Sequence, residues 1–249
     1  MKKPVVALLA LLGALLITPT THAAMTLPWA DAEQMVVVVV PDWNASTGTL
    51  RRYERARDNW RLADYETDIV IGRNGAAWGL GLHPQQADGP QKVEGDGRAP
   101  AGVFALGDAF GYADKVKTKM PYLALTPSQY CIDVEGSPLY NQIVDADQVG
   151  AAAVRGSTEP MRRDLYAGGD EAYREGFVIR QNPGNASGKG SCVFAHLWQS
   201  PTTPTAGCTA MDDKTMERVL AWLNPKKNPV FVLLPRAEYD RLRREWSLP

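Results

Sequence analysis

The chain has 249 residues, 45% of them hydrophobic and 22% charged, which is enough to bury a real core in one domain. Its 27 basic and 28 acidic side chains nearly cancel to a formal net charge of -1. With no basic excess to neutralise a phosphate backbone, nucleic acid is not an expected partner.

The first residues, Met1-Lys2-Lys3-Pro4, are basic, and an apolar run from Val5 to Ile17 follows. Small residues come next, through Thr21, Ala23 and Ala24. This pattern predicts a secretory signal over residues 1–23, cut after Ala23. The apolar run is shorter than the roughly 20 residues a membrane-spanning helix needs. No later segment is long and apolar enough, so no transmembrane segment is expected after cleavage. The mature chain, residues 24–249, reads as a single domain exported to the periplasm or cell envelope.

Val36 to Val40 is a β-branched run ended by Pro41 and predicts a strand. Turn residues at 44–48 lead into a returning strand, Thr49 to Glu54. Arg61 to Ile71 predicts another. Residues 72–102 are rich in Gly and Pro and read as long loops, which in compact domains are often functional. Short strands are expected at Val103–Leu106 and Tyr122–Leu125. Residues 150–175, with Met161-Arg162-Arg163-Asp164 inside them, are charged and irregular, with room for a helical turn or two. Gly176–Arg180 and Ser191–His196 predict two more strands. Asp212 is a helix N-cap candidate ahead of Met216, Val219, Leu220 and Leu223, which repeat at helical spacing. A strand over Pro229–Leu234 and a charged helix over Arg236–Trp246 complete the chain. Many short strands and two convincing helices predict a mainly β fold with a few helices.

Three cysteines, Cys131, Cys192 and Cys208, fall in the predicted mature chain. Export places them where disulfides persist, and an odd count leaves one thiol free or paired with another chain. Pairing Cys131 with Cys192 would leave Cys208 reduced, but the sequence does not choose among the pairings. Cys208 follows Gly207 and lies a few residues before the Asp212 cap. Glycine there lets the backbone turn sharply and lets a substrate carbonyl approach backbone N–H groups. A cysteine nucleophile needs a base, and the mature chain has two histidines, His83 and His196. His196 ends an apolar strand twelve residues before Cys208, a spacing that lets a returning loop bring the two together. No Cys-x-x-Cys pair is present and histidines are few, so no metal site and no cofactor are expected.

Phe194-Ala195-His196 and Thr205-Ala206-Gly207-Cys208-Thr209-Ala210-Met211 together resemble the catalytic domain of the L,D-transpeptidases, the YkuD family. That family carries a histidine, a gap of somewhat over ten residues, and a Ser/Thr-x-Gly-Cys element. Gly95-Asp96-Gly97-Arg98-Ala99-Pro100-Ala101-Gly102-Val103-Phe104 resembles its upstream Asp-Gly-Lys-Thr-Pro-x-Gly-x-Phe loop. The resemblance implies a mainly β sandwich or barrel, a peptidoglycan stem peptide as substrate, and a cysteine acylated with loss of terminal D-alanine. Carried over position by position, it implies Cys208 as nucleophile and His196 as base. Backbone N–H groups near Gly207 would form the oxyanion hole, with Thr205 matching the opening Ser/Thr. Arg180, with Tyr140, Asn141, Gln181 and Asn182, would line the cleft, and a Cys131–Cys192 disulfide would brace the His196 strand. Three family positions differ: Ala206 stands in place of a second histidine, Ala210 in place of an arginine, and Leu197 follows His196 where the family has Gly or Ser. These departures resemble a divergent branch that includes wall hydrolases. Transfer to an amine, hydrolysis by a carboxypeptidase or amidase, and a non-catalytic wall-binding module all remain open at this stage.

Overall fold

The computed structural model describes residues 26–57, 59–64 and 66–249. The predicted signal segment, 1–23, lies outside the described residues. The strands in chain order are β1 (Gln34–Val40), β2 (Thr47–Ala56), β3 (Asn59–Leu62), β4 (Thr67–Val70), β5 (Ala76–Trp78), β6 (Ala99–Gly111) and β7 (Tyr122–Ala124). They continue as β8 (Gln129–Cys131), β9 (Ile143–Asp145), β10 (Glu159–Pro160), β11 (Glu175–Ile179), β12 (Phe194–Leu197), β13 (Thr209–Met211) and β14 (Val230–Pro235). Among the described residues four α-helices are interspersed, α1 (Ala146–Val149), α2 (Arg163–Tyr166), α3 (Asp213–Trp222) and α4 (Arg236–Leu242), with a 3-10 turn at Pro225–Lys227. The fold is mainly β with few helices.

The strand order β1-β14-β6-β11-β12-β13-β4-β2 returns to β1, so eight strands close into a barrel. β1 pairs in parallel with β14 on one side and antiparallel with β2 on the other. All seven of its residues are buried. A strand covered on both faces needs apolar side chains at every position, which explains an unbroken valine run rather than an alternating one. α4 packs on β14 and β1, and α3 on β11 and β12. A separate three-stranded sheet, β10-β8-β9, is built from the segments between β7 and β11.

The expected strand over Arg61–Ile71 is divided into β3 and β4, and both halves pair with β2. Tyr53 pairs with Leu62 and Leu50 with Thr67, so five steps on one strand face three on the other. Such an excess breaks the ladder and bends the strand, as a bulge does. The glycine-rich stretch 72–102 is not all loop: β5 pairs in parallel with the first residues of β6, which runs unbroken from Ala99 to Gly111. Asp212 does cap α3, its carboxylate accepting from Thr215 N–H at 3.0 Å. The last helix is shorter than its charge pattern predicts. It stops at Leu242, and the chain then turns Trp246 inward against Trp29, Trp78 and His83.

Candidate active site

The turn Thr205-Ala206-Gly207-Cys208 delivers the cysteine to the start of β13. Thr205 organises it: its hydroxyl donates to Cys208 C=O at 2.7 Å and accepts from Gly207 N–H at 3.1 Å. Both bonds are internal to the turn, so Thr205 and the Gly207 N–H are already committed. Gly207 has φ 157, and a Cβ there would lie 3.0 Å from Arg98 C=O. The upstream Gly-Asp-Gly-Arg segment is therefore packed directly on the cysteine turn. Asp96 fixes that segment by accepting from Val93 N–H and Arg98 N–H, at 3.0 and 2.8 Å. The Arg98 guanidinium donates to Trp43 C=O and Ala76 C=O, at 2.8 and 2.9 Å.

β12 and β13 run parallel, with Ala195 opposite Thr209 and His196 opposite Ala210. Extending that register places Cys208 opposite Phe194. Alternation along the strands then puts Phe194, His196, Cys208 and Ala210 on one face. Cys208 and His196 are diagonal neighbours on that face. They line one cavity of about 200 Å³. The Cys208 thiol has two backbone partners, neither of them His196. Phe194 N–H donates to Sγ at 3.3 Å, and the thiol donates to Cys192 C=O at 3.6 Å.

His196 Nδ1 lies 2.8 Å from Leu197 C=O. A carbonyl oxygen only accepts, so Nδ1 carries the proton and Nε2 holds a free lone pair. Tyr173 packs edge-on against the imidazole, 5.3 Å between ring centres. Burial holds His196 neutral, lowering its pKa to about 4. Burial, followed by the nearby Glu159 carboxylate, pushes the Cys208 thiol up to about 12. The resting pair is thus neutral thiol and neutral imidazole. His83 is not part of this arrangement. It accepts from Val103 N–H at 3.0 Å and is walled in by Trp78, Phe104 and Trp246.

Four residues that motif reasoning did not select complete the cavity: Glu159, Arg163, Asp170 and Tyr173. Tyr173 OH donates to Glu159 Oε1 at 2.7 Å, and Arg163 Nη1 donates to the same oxygen at 3.2 Å. Arg163 Nε also donates to Asp170 at 2.8 Å, and its guanidinium sits over the Tyr173 ring at 5.4 Å. Burial is the largest influence on Glu159 and raises its pKa. The one sequence signal available was the charge density of the irregular stretch 150–175.

A second cavity of about 330 Å³ also borders Cys208, and Glu159, Ala206 and Cys208 line both. Its wall includes Arg73, Lys92 and Glu94. Glu94 accepts from Tyr140 OH and from Ser191 Oγ, so Tyr140 is used in fastening the chain ahead of β12. Cys131 and Cys192 form a disulfide, Cα atoms 5.9 Å apart, and Cys208 is the free cysteine. Cys131 is the ladder partner of Glu159 and Cys192 carries the carbonyl that receives the Cys208 thiol. The crosslink therefore ties the small sheet, with Glu159, to the chain that enters β12, the His196 strand.

Arg180 is placed elsewhere. It lines a third cavity, of about 420 Å³, with Asp108, Leu123 and Ile143. It does not line either cavity that Cys208 borders. The side chains of Asn141, Gln181 and Asn182 are occupied in holding the loop 181–190 and the Cys192 N–H.

No family model matches the chain, and no curated protein matches it. Among solved structures, it is similar to the helical cell shape determining protein Pgp2 from Campylobacter jejuni, at 15% identity and a TM-score of 0.38. The alignment covers 82% of this chain and 48% of that one, so the chain spans about half the length of that protein.

Proposed function

We propose that the protein is a cysteine acyltransferase of the bacterial cell envelope, an L,D-transpeptidase-like enzyme that acts on peptidoglycan stem peptides. The observation that carries this reading is the shared face of β12 and β13, where Cys208 and a neutral His196 with a free Nε2 line one cavity. The envelope location rests on the predicted signal over residues 1–23, and the substrate class on the three ordered motifs. Cys208 Sγ attacks the carbonyl of the L-to-D peptide bond while His196 Nε2 takes the thiol proton. The C–N bond breaks, the proton passes to the leaving amine, and a thioester remains on Cys208. Gly207 N–H is committed to Thr205, which leaves the Cys208 N–H as the backbone donor proposed for the oxyanion. Thr205 acts by shaping the turn.

Hydrolysis is the second reading. Ala206 and Ala210 both line the His196 cavity and offer no side-chain donor to hold an amine acceptor, so water would complete the reaction there.

Incubation with purified stem tetrapeptide, followed by mass spectrometry, tests both readings. The expected products are an acyl mass on Cys208 and free D-alanine. Dimeric muropeptides indicate transfer, and shortened monomers indicate hydrolysis. A Cys208→Ala protein that still releases D-alanine would falsify the assigned role.

A further inference from the structure

We propose that Arg163 recognises the terminal carboxylate of the peptide whose acyl group goes to Cys208, so that the site selects peptides ending in a free acid. This rests on the acylation reading above and adds a recognition residue to it. The leaving amine must take its proton from His196, so the departing residue lies in the cavity that His196 lines. The residues lining that cavity include one arginine or lysine, Arg163.

The guanidinium is held ready. Asp170 lies 2.8 Å from both Nε and Nη2, and Glu159 accepts from Nη1 at 3.2 Å. Of the five guanidinium N–H groups, one on Nε and one on Nη1 make hydrogen bonds to Asp170 and Glu159, which leaves donors on Nη1 and Nη2 for a ligand. Pinning by two carboxylates and the Tyr173 face removes most of the entropy that a free arginine loses on binding. A carboxylate entering there meets the negative charge of Glu159 and Asp170, which the Arg163 guanidinium must offset. Arg163 comes from α2, immediately after β10, so this cation enters the site from the small sheet rather than from the cysteine element, where Ala210 stands. A purely structural Arg163, tying α2 to β10, would be indifferent to the chemistry at the substrate's C-terminus.

The experiment compares two stem tetrapeptides ending in D-alanine, one a free acid and one a C-terminal amide. Each is given to the full-length wild-type protein, to Arg163→Gln and to Arg163→Lys. Acylation of Cys208 and release of the last residue are followed by mass spectrometry. The wild type is expected to prefer the acid by roughly 10- to 100-fold in kcat/KM, the scale of losing a hydrogen bond to a charged group. Arg163→Gln is expected to lose that preference by reacting more slowly with the acid alone, and Arg163→Lys to retain part of it. Equal wild-type rates on the acid and the amide overturn the assignment while leaving acylation intact, and this holds even if the variants fail to fold. Acylation by neither peptide overturns the acylation reading itself, and this assignment with it.

Discussion

Cys208 sits in its resting state as a thiol, bonded to the backbone at Phe194 and Cys192. An alkylating reagent should read this directly. With its pKa pushed to about 12, the thiolate fraction at pH 7 is about a thousandfold below that of an unperturbed cysteine. Iodoacetamide should therefore modify the free protein slowly at pH 7, with a rate still rising beyond pH 10. A fast reaction with a midpoint near pH 6 would reveal a preformed thiolate–imidazolium pair and contradict the neutral arrangement. Proton transfer must then accompany attack, which gives His196 its weight. His196→Gln should keep the fold and lower the acylation rate by about 10²- to 10⁴-fold, measured as thioester formation with the tetrapeptide. Both residues were legible in the sequence, because a glycine-cysteine turn and a histidine at a strand end are local patterns. Glu159 and Arg163 were not. They reach Cys208 through the β8–β10 ladder and the disulfide, contacts that no local spacing encodes.

Among the elements, β1 was legible over Val36–Val40, since a strand buried on both faces writes its position as a run of valines, while its first residues, Gln34 and Met35, were not read as strand. The bend between β3 and β4 was not, because apolar patterning is blind to a mismatch that depends on the partner strand. Two changes probe how elements are pinned. Cys131→Ala/Cys192→Ala removes a crosslink between residues 61 apart in sequence, worth about 4 kcal/mol in the chain-entropy picture. Urea denaturation should show that loss, and acylation should fall as well, because the small sheet that carries Glu159 is freed from β12. Unchanged acylation in the destabilised variant would show that the crosslink stabilises the fold without shaping the site. Gly102 fixes the crossing of β6 and the His83 loop. Its φ is +138, and a Cβ would fall 1.9 Å from His83 Cε1. Gly102→Ala should cost more than about 3 kcal/mol or prevent folding. Gly95→Ala, at φ +70 with nothing within 4 Å, should cost only about 1 kcal/mol. Equal costs at the two positions would mean that backbone conformation, rather than the His83 contact, governs both.

For the whole molecule, the mainly β character was readable from strand count, but the closed strand order was not. β1 joins β14 from the far end of the chain, and β13 meets β4 at one pair, Ala210 with Val70. His83 and His196 are both buried, and buried histidines make the fold sensitive to acid. His196 has its pKa lowered to about 4 by burial, and burial lowers His83 as well. An unfolded histidine takes up its proton near pH 6.5. Between pH 6.5 and 4 the unfolded chain therefore binds a proton that the native His196 refuses, and stability falls with pH across that window. Glu159 acts in the opposite sense. Its raised pKa lets the native state take up a proton first, so its contribution grows on acidification. At pH 4.5 the His196 effect alone amounts to about 2–3 kcal/mol relative to pH 7. Urea midpoints at pH 7, 5.5 and 4.5 should therefore fall more steeply for the wild type than for His196→Gln. The residual slope of the variant belongs to His83 and the carboxylates. Parallel curves would mean that His196 is protonated in the native protein near its ordinary pKa. In that case burial would not be what keeps His196 neutral beside Cys208.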